Sequence, residues 1–86
     1  MPTIAYFLGI AVRMFYNDHD PPHFHARYGP AEAQIDIATL GAMNGVLPPK
    51  AFALVVEWAA SHQAELVEDW LRARTGQPLL KIEPLS

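Results

Sequence analysis

The most informative stretch of this chain is residues 17–28, which read Asn17-Asp18-His19-Asp20-Pro21-Pro22-His23-Phe24-His25-Ala26-Arg27-Tyr28. Its first half, residues 17–22, predicts a turn, because Asn and Asp hydrogen-bond to their own backbone and proline fixes φ. From residue 23 onward polar and apolar residues alternate, as they do in a β-strand that faces a core on one side. The stretch therefore predicts a turn that leads directly into a strand.

The alternation places His23, His25 and Arg27 in a row on one face of that strand. Successive positions on the same face are about 6–7 Å apart. The turn, with Asp18, His19 and Asp20, lies at the head of the row. The two segments together predict a compact polar cluster on a chain of which 51% of the residues are hydrophobic.

Four other segments have the composition or alternation of strands. The first two, residues 3–7 and 10–16, form a predicted hairpin around Leu8-Gly9. Residues 32–37 follow the histidine strand after the break at Gly29-Pro30, with Gln34 and Asp36 predicted to face outward. Residues 42–47 could form a short fifth strand, although Asn44-Gly45 could equally be a turn.

The C-terminal half predicts a helix. Pro49 is well placed at a first helical position, apolar residues recur at helical spacing to about Arg74, and Gly76 is a stop signal. A continuous helix of about 26 residues would be ~39 Å long, so a kink or break near Ser61-His62 is the alternative. The predicted fold class is α+β, a single domain over residues 1–86. In it a small antiparallel sheet of four to five strands packs against a long or kinked C-terminal helix.

Composition excludes several classes of protein. The chain has 86 residues and no cysteine, which rules out disulfides and thiolate metal sites. Its net charge of −3 counts against a nonspecific nucleic-acid binder. No apolar run approaches the ~20 residues that span a membrane, and the N-terminus lacks a signal-peptide pattern. We therefore expect a cytoplasmic protein without a membrane role.

The histidine stretch allows three interpretations. His23 and His25 could transfer protons during cleavage of a phosphodiester such as RNA, with His19 as the other possible partner. Alternatively, His23 and His25 could share one metal ion. A third ligand could come from His19, Asp18, Asp20 or Asp36, and a more distant one from His62. The third interpretation is an ordinary solvated strand face, or a surface that binds a partner without chemistry.

Beyond these patterns, the chain resembles the bacterial family called domain of unknown function 4160. The most specific shared motif is Asp18-His19-x-Pro21-Pro22-His23-Phe24-His25. The resemblance extends over nearly the whole chain, through Pro2-Thr3-Ile4, Val12-Arg13-Met14-Phe15-Tyr16, Ile35-Asp36, Gly45-x-Leu47-Pro48, Glu57-Trp58-Ala59, Glu65-Leu66, Trp70 and Lys81-Ile82-Glu83-Pro84-Leu85.

This resemblance implies a short bacterial protein, often encoded beside a second small protein in what has been proposed to be a toxin–antitoxin module. We therefore expect a toxin-like component with a cognate antitoxin-like partner. The resemblance implies no activity; the expectation of a ribonuclease that uses no metal or other cofactor comes from the histidine chemistry described above. His23, His25 and His19 are the candidate catalytic residues, and Arg27 and Asp36 the candidate substrate-binding residues. The alternative is a noncatalytic protein-interaction module, with or without a histidine-based metal site. Exposed sheet edges also leave a homodimer open.

Overall fold

The computed structural model describes residues 2–86, which form a five-stranded sheet followed by two helices. The elements are β1 Thr3–Phe7, β2 Ile10–Arg13, β3 His23–Tyr28, β4 Ala31–Asp36, β5 Ala42–Gly45, α1 Pro49–Ala60 and α2 Gln63–Arg74. Each strand pairs antiparallel with the next one in the chain, so the sheet order is β1-β2-β3-β4-β5. The predicted α+β class and antiparallel sheet are confirmed.

The predicted strands are all present, with small differences at their ends. β1 and β3 have the predicted bounds, whereas β2 ends three residues early, at Arg13. The helical region consists of two helices. The prediction of one continuous helix is therefore wrong, and the alternative of a break near Ser61-His62 is confirmed. The interruption falls at Ser61 and His62, whose N–H groups donate to the carbonyls of Trp58 and Ala59. Neither helix of the described residues is long and apolar enough to cross a membrane.

The core lies between one face of the sheet and the helices. Phe24 and Ala26 of β3 are fully buried on this face, beside Val12 of β2 and Ile35 of β4. Trp58 of α1 packs against Phe24, with 6.1 Å between the ring centroids. Because alternate residues of a strand point to opposite faces, this burial directs the histidines of β3 to the other face of the sheet, as predicted.

Residues 77–86, the C-terminal strap, have no regular secondary structure but are held by hydrogen bonds, three of which connect them to β1, α1 and α2. The Ile82 N–H donates to the Ile4 carbonyl at the edge of β1 (2.8 Å), and the Trp58 indole N–H donates to the Glu83 carbonyl (2.7 Å). The Leu80 N–H donates to Oδ1 of Asp69 on α2 (2.9 Å). The strap therefore ties the first strand to both helices.

Asp69 is an unusual anchor for the strap, because its side chain is almost completely buried. Only 1% of the residue is exposed, and Oδ2 has no hydrogen-bond partner among the described residues. Burial raises the pKa of Asp69, although the hydrogen bond from Leu80 and the charge of Arg72 act in the opposite direction. The folded protein therefore holds a proton on Asp69 at pH values where the unfolded chain releases it.

We expect this buried carboxyl group to make stability depend on pH. As the pH rises through the raised pKa of Asp69, the free energy of unfolding should fall, because the folded state must then bury a charge. Asp69→Asn keeps the acceptor for Leu80 and removes this titration. Urea unfolding at several pH values should show the wild type losing stability relative to the variant as the pH rises. The exposed Glu57→Gln corrects for the loss of one carboxylate, and a difference that does not change with pH would contradict the prediction.

Candidate functional site

The turn of residues 17–22 folds back over the face of β3 that carries the histidines. The Oδ2 atom of Asp18 lies 3.0 Å from Nε2 of His23 and 3.2 Å from Nε2 of His25. One ligand atom from each of these three residues lies within 4.8 Å of the other two. We call Asp18, His23 and His25 the Asp-His-His cluster.

The second ring nitrogen of each histidine also has a fixed partner. Nδ1 of His23 lies 2.8 Å from the Pro21 carbonyl oxygen. Nδ1 of His25 lies 3.3 Å from Oε2 of Glu32. Glu32 is in register with Arg27 across β3 and β4, which places it diagonal to His25 on the same face. Backbone and sheet register therefore hold both rings at two points each.

Both imidazoles are shielded from water, although they lie on the face away from the core. His23 is 2% exposed and His25 is 9% exposed. The Phe15 ring packs edge-on against His25 with 4.4 Å between centroids, and Trp70 of α2 lies 5.3 Å from His23. The interpretation of these two histidines as ordinary solvated residues is therefore wrong.

Asp18 is the negative centre of the cluster. Burial alone raises the pKa of a carboxyl group. The hydrogen bonds from the His25 ring and the His19 backbone, together with the charges of His23 and His25, outweigh this effect and lower the pKa of Asp18. Asp18 is therefore a carboxylate in the folded protein, available as an anionic ligand.

The hydrogen-bond donors and acceptors of the cluster do not match if both imidazoles are neutral. A carbonyl or carboxylate oxygen can only accept, whereas a neutral imidazole has one donor and one acceptor nitrogen. His25 faces a carboxylate oxygen at each nitrogen, and His23 faces a carbonyl at one and a carboxylate at the other. One divalent cation between Oδ2 and the two Nε2 atoms would remove this mismatch, as would one further proton on each ring.

The two nitrogen–oxygen distances of the cluster fit a shared cation. Nitrogen and oxygen ligands about 2.1 Å from one ion lie about 3.0–3.5 Å apart at octahedral or tetrahedral angles. The two Nε2–Oδ2 separations, 3.0 and 3.2 Å, lie in this range. The residues present therefore suit a site with two histidines and one carboxylate.

His19 lies beside the cluster but differs from the other histidines in exposure. Its side chain is 94% exposed, and its Nδ1 lies 3.3 Å from Oδ1 of Asp18, the oxygen that the other two rings do not contact. The His19 backbone N–H donates to the same oxygen at 3.0 Å. His19 is thus a solvent-facing imidazole at the entrance to the cluster.

The two candidate substrate-binding residues have other contacts. Arg27 donates from Nε to the Gly29 carbonyl at 3.1 Å, and its Nη1 lies 3.7 Å from Glu32. Asp36 is in register with His23, yet its Oδ1 accepts hydrogen bonds from the backbone N–H groups of Ala38 and Thr39. The structure brings Arg27 to the edge of the site, while the Asp36 carboxylate caps the turn after β4.

Four residues at the cluster were missing from the sequence-based candidates: Phe15, Trp70 and Glu32, which contact the histidines, and Arg13. Arg13 is the cross-strand partner of His25, and Phe15 follows two residues later. A tight turn at Gly29-Pro30 between two predicted strands would have placed Glu32 opposite Arg27, so the signal for Glu32 was present in the sequence. The predicted strand over residues 10–16 included Phe15 on the face of Arg13, but β2 ends at Arg13, so the contact of Phe15 with His25 is made outside the strand.

Fold and site together define a class: a small α+β protein in which a turn carboxylate and two strand imidazoles form a buried cluster. A model of the family described as "Domain of unknown function (DUF4160)" matches residues 9–71, which include the whole cluster. The chain belongs to this family, as its motifs predicted. Comparison with curated proteins found no match, and comparison with solved structures found none either.

We expect Asp18 to stabilise the fold more than its neighbour Asp20. Asp18→Ala leaves the Nε2 atoms of two buried imidazoles without a partner, which should cost about 1–3 kcal/mol. Asp20→Ala removes only an exposed ion pair with Arg74, worth less than about 1 kcal/mol. Urea unfolding in the presence of a chelator measures both variants, and equal losses would contradict the described cluster.

Proposed function

We propose that the protein is a mononuclear metal protein whose Asp18, His23 and His25 bind one divalent transition-metal ion. One observation is the main support: Nε2 of both histidines faces the same oxygen of Asp18, while both Nδ1 atoms are held elsewhere. If each neutral ring carries its proton on Nδ1, both Nε2 atoms have a free lone pair. These two lone pairs and Oδ2 of Asp18 then converge as three possible metal ligands.

The contacts around the cluster also support a metal centre. Histidine ligands usually donate their other ring N–H to a backbone carbonyl or a carboxylate, which fixes the tautomer and the ring orientation. The Pro21 carbonyl oxygen is the acceptor that faces Nδ1 of His23, and the Glu32 carboxylate faces Nδ1 of His25. A set of two imidazoles and one carboxylate without thiolate suits zinc, iron, cobalt or nickel rather than copper(I).

Three protein ligands leave coordination positions for water or substrate. A divalent ion there would polarise a bound oxygen or lower the pKa of a bound water. The protein's own residues orient the ligands and exclude bulk water: Phe15 and Trp70 cover the rings, and Asp18 supplies the negative charge. His19, open to solvent beside Asp18, is placed to exchange protons with molecules that reach the site.

The same geometry makes His23 and His25 a weaker pair for direct proton transfer to a substrate. A general acid or base needs a ring nitrogen within hydrogen-bond reach of the reacting group. In this fold all four ring nitrogens of the pair face protein oxygens. We therefore place the metal-site interpretation before the metal-independent one that the sequence favoured.

We expect the purified chain to bind one Co²⁺ or Zn²⁺ ion per molecule. His23→Gln, His25→Gln and Asp18→Asn should each weaken binding by about 100-fold or more, since each removes one of three ligands. Isothermal titration calorimetry measures the affinity, and the visible absorption of Co²⁺ reports its coordination geometry.

The matched control is His62→Gln. His62 also contacts a carboxylate, that of Glu65, but this pair lies in the helical region and outside the cluster. This variant should bind metal like the wild type. Binding that survives in all three cluster variants, or that is lost in His62→Gln, would contradict the assignment.

A second candidate function is the toxin-like component of a two-protein bacterial module, with ribonuclease activity. The exposure of His19 supports it, because a carboxylate-oriented imidazole open to solvent can serve as an acid or base on RNA. The inhibitor would be the cognate small protein, and covering this face would block the site. A noncatalytic interaction module, or a homodimer that pairs the exposed strand β5, would use the fold without this chemistry.

RNA cleavage by the purified protein, with and without chelator, tests the second candidate. We expect cleavage that is lost in His19→Ala and in the double variant His23→Ala/His25→Ala. Cleavage that a chelator abolishes would indicate that the metal centre carries the ribonuclease activity. Cleavage that persists with chelator would favour proton transfer by the histidines alone. No cleavage above the background of the double variant would remove the ribonuclease hypothesis and leave the metal centre in place.

A further inference from the structure

We propose that the metal centre is an oxyanion-binding site and that Arg13 is the residue that selects the anion. This inference rests on the proposed metal centre and adds the chemical class of its ligand. The ligand contains a phosphoryl or carboxyl group. One of its oxygens binds at an open coordination position, and its other oxygens accept hydrogen bonds from the guanidinium of Arg13.

The position of Arg13 follows from the sheet register. Arg13 of β2 is directly opposite His25 of β3. Residues that face each other in an antiparallel pair have Cβ atoms about 4.5–5.5 Å apart and project from the same face. Arg13 therefore lies next to one ligand of the metal site, on the polar face of the sheet.

The guanidinium of Arg13 differs from the other arginines in its contacts. Arg27, Arg72 and Arg74 each lie within ion-pair distance of a carboxylate. Among residues 2–86, no hydrogen bond or ion pair involves the side chain of Arg13, although the residue is partly buried. A partly buried cation without an internal partner is available for an external anion.

The charges of the surroundings also favour an anion. Asp18 and Glu32 are the carboxylates that contact the cluster, and together they balance one divalent ion. Arg13 and Arg27 then outnumber Asp36, the third carboxylate on this face, so one positive charge is in excess. Near a dry site such an excess attracts an oxyanion more strongly than it would in bulk water.

Arg13 is better suited to this role than Arg27, the residue that the sequence favoured for phosphate. A guanidinium binds two oxygens of a carboxylate or phosphate when its planar N–H groups are free. Arg27 already donates to the Gly29 carbonyl and lies near Glu32. Arg13 has neither restriction.

The test is an anion titration of the Co²⁺-loaded full-length protein, followed by visible absorption. Inorganic phosphate and acetate are the two probes, so that phosphoryl and carboxyl ligands are distinguished by their relative affinities. We expect phosphate or acetate to change the Co²⁺ spectrum of the wild type. Arg13→Gln should weaken that anion by about tenfold or more, because a charge-assisted hydrogen bond is lost. Co²⁺ affinity itself should be unchanged.

The controls separate this inference from the metal centre. Arg72→Gln, on α2 and paired there with Glu68, should bind the anion within about threefold of the wild type. Arg13→Lys keeps the charge without the planar fork and should be intermediate, which also covers the case in which Arg13→Gln does not fold. If Co²⁺ binds but anions leave the spectrum unchanged, or Arg13→Gln binds them like the wild type, the inference is wrong and the metal centre stands. If the wild type binds no Co²⁺, both are wrong.

Discussion

The carboxylate of Asp18 is the contact on which the polar face of this protein depends. One of its oxygens holds the Nε2 atoms of His23 and His25, and the other holds the backbone and ring of His19. Without this carboxylate, the turn of residues 17–22 would keep only the backbone contacts of Pro21 with His23 and of Pro22 with Ile37 to hold it over β3. The Nε2 atoms of the two buried imidazoles would lose their shared oxygen. The cluster therefore both shapes the turn and concentrates ligand atoms at one point.

Such a cluster is a costly feature in a domain this small. Buried polar groups must be fully paired to avoid a loss of stability, and networks that are only partly satisfied destabilise a fold. The sheet compensates by burying its apolar face against α1 and α2, and the C-terminal strap ties the edge strand to both helices. The fold thus isolates the site on one face while the opposite face supplies the hydrophobic stabilisation.

Much of the fold could be predicted, because its signals are local. The bounds of β1 and β3, the outward direction of His23 and His25 and the helix start at Pro49 follow from period-two alternation and proline chemistry. The site was predicted only in part. His23, His25 and Asp18 were expected near each other, whereas Arg13 and Glu32 belong to the site because of strand register. The capping role of Asp36 depends on the loop after β4, which its alternation pattern does not reveal.

By itself the sequence determined the class of fold, the family, the absence of thiolate chemistry and the set of residue types that the site could use. The tertiary structure decided which of them meet. Burial of His23 and His25 on a face that strand periodicity marks as polar results from Phe15, Trp70 and the folded-back turn, which come from distant parts of the chain. Donor and acceptor matching at four ring nitrogens is a property of three-dimensional distances. Periodicity specifies the direction of each side chain, but only packing specifies its partner.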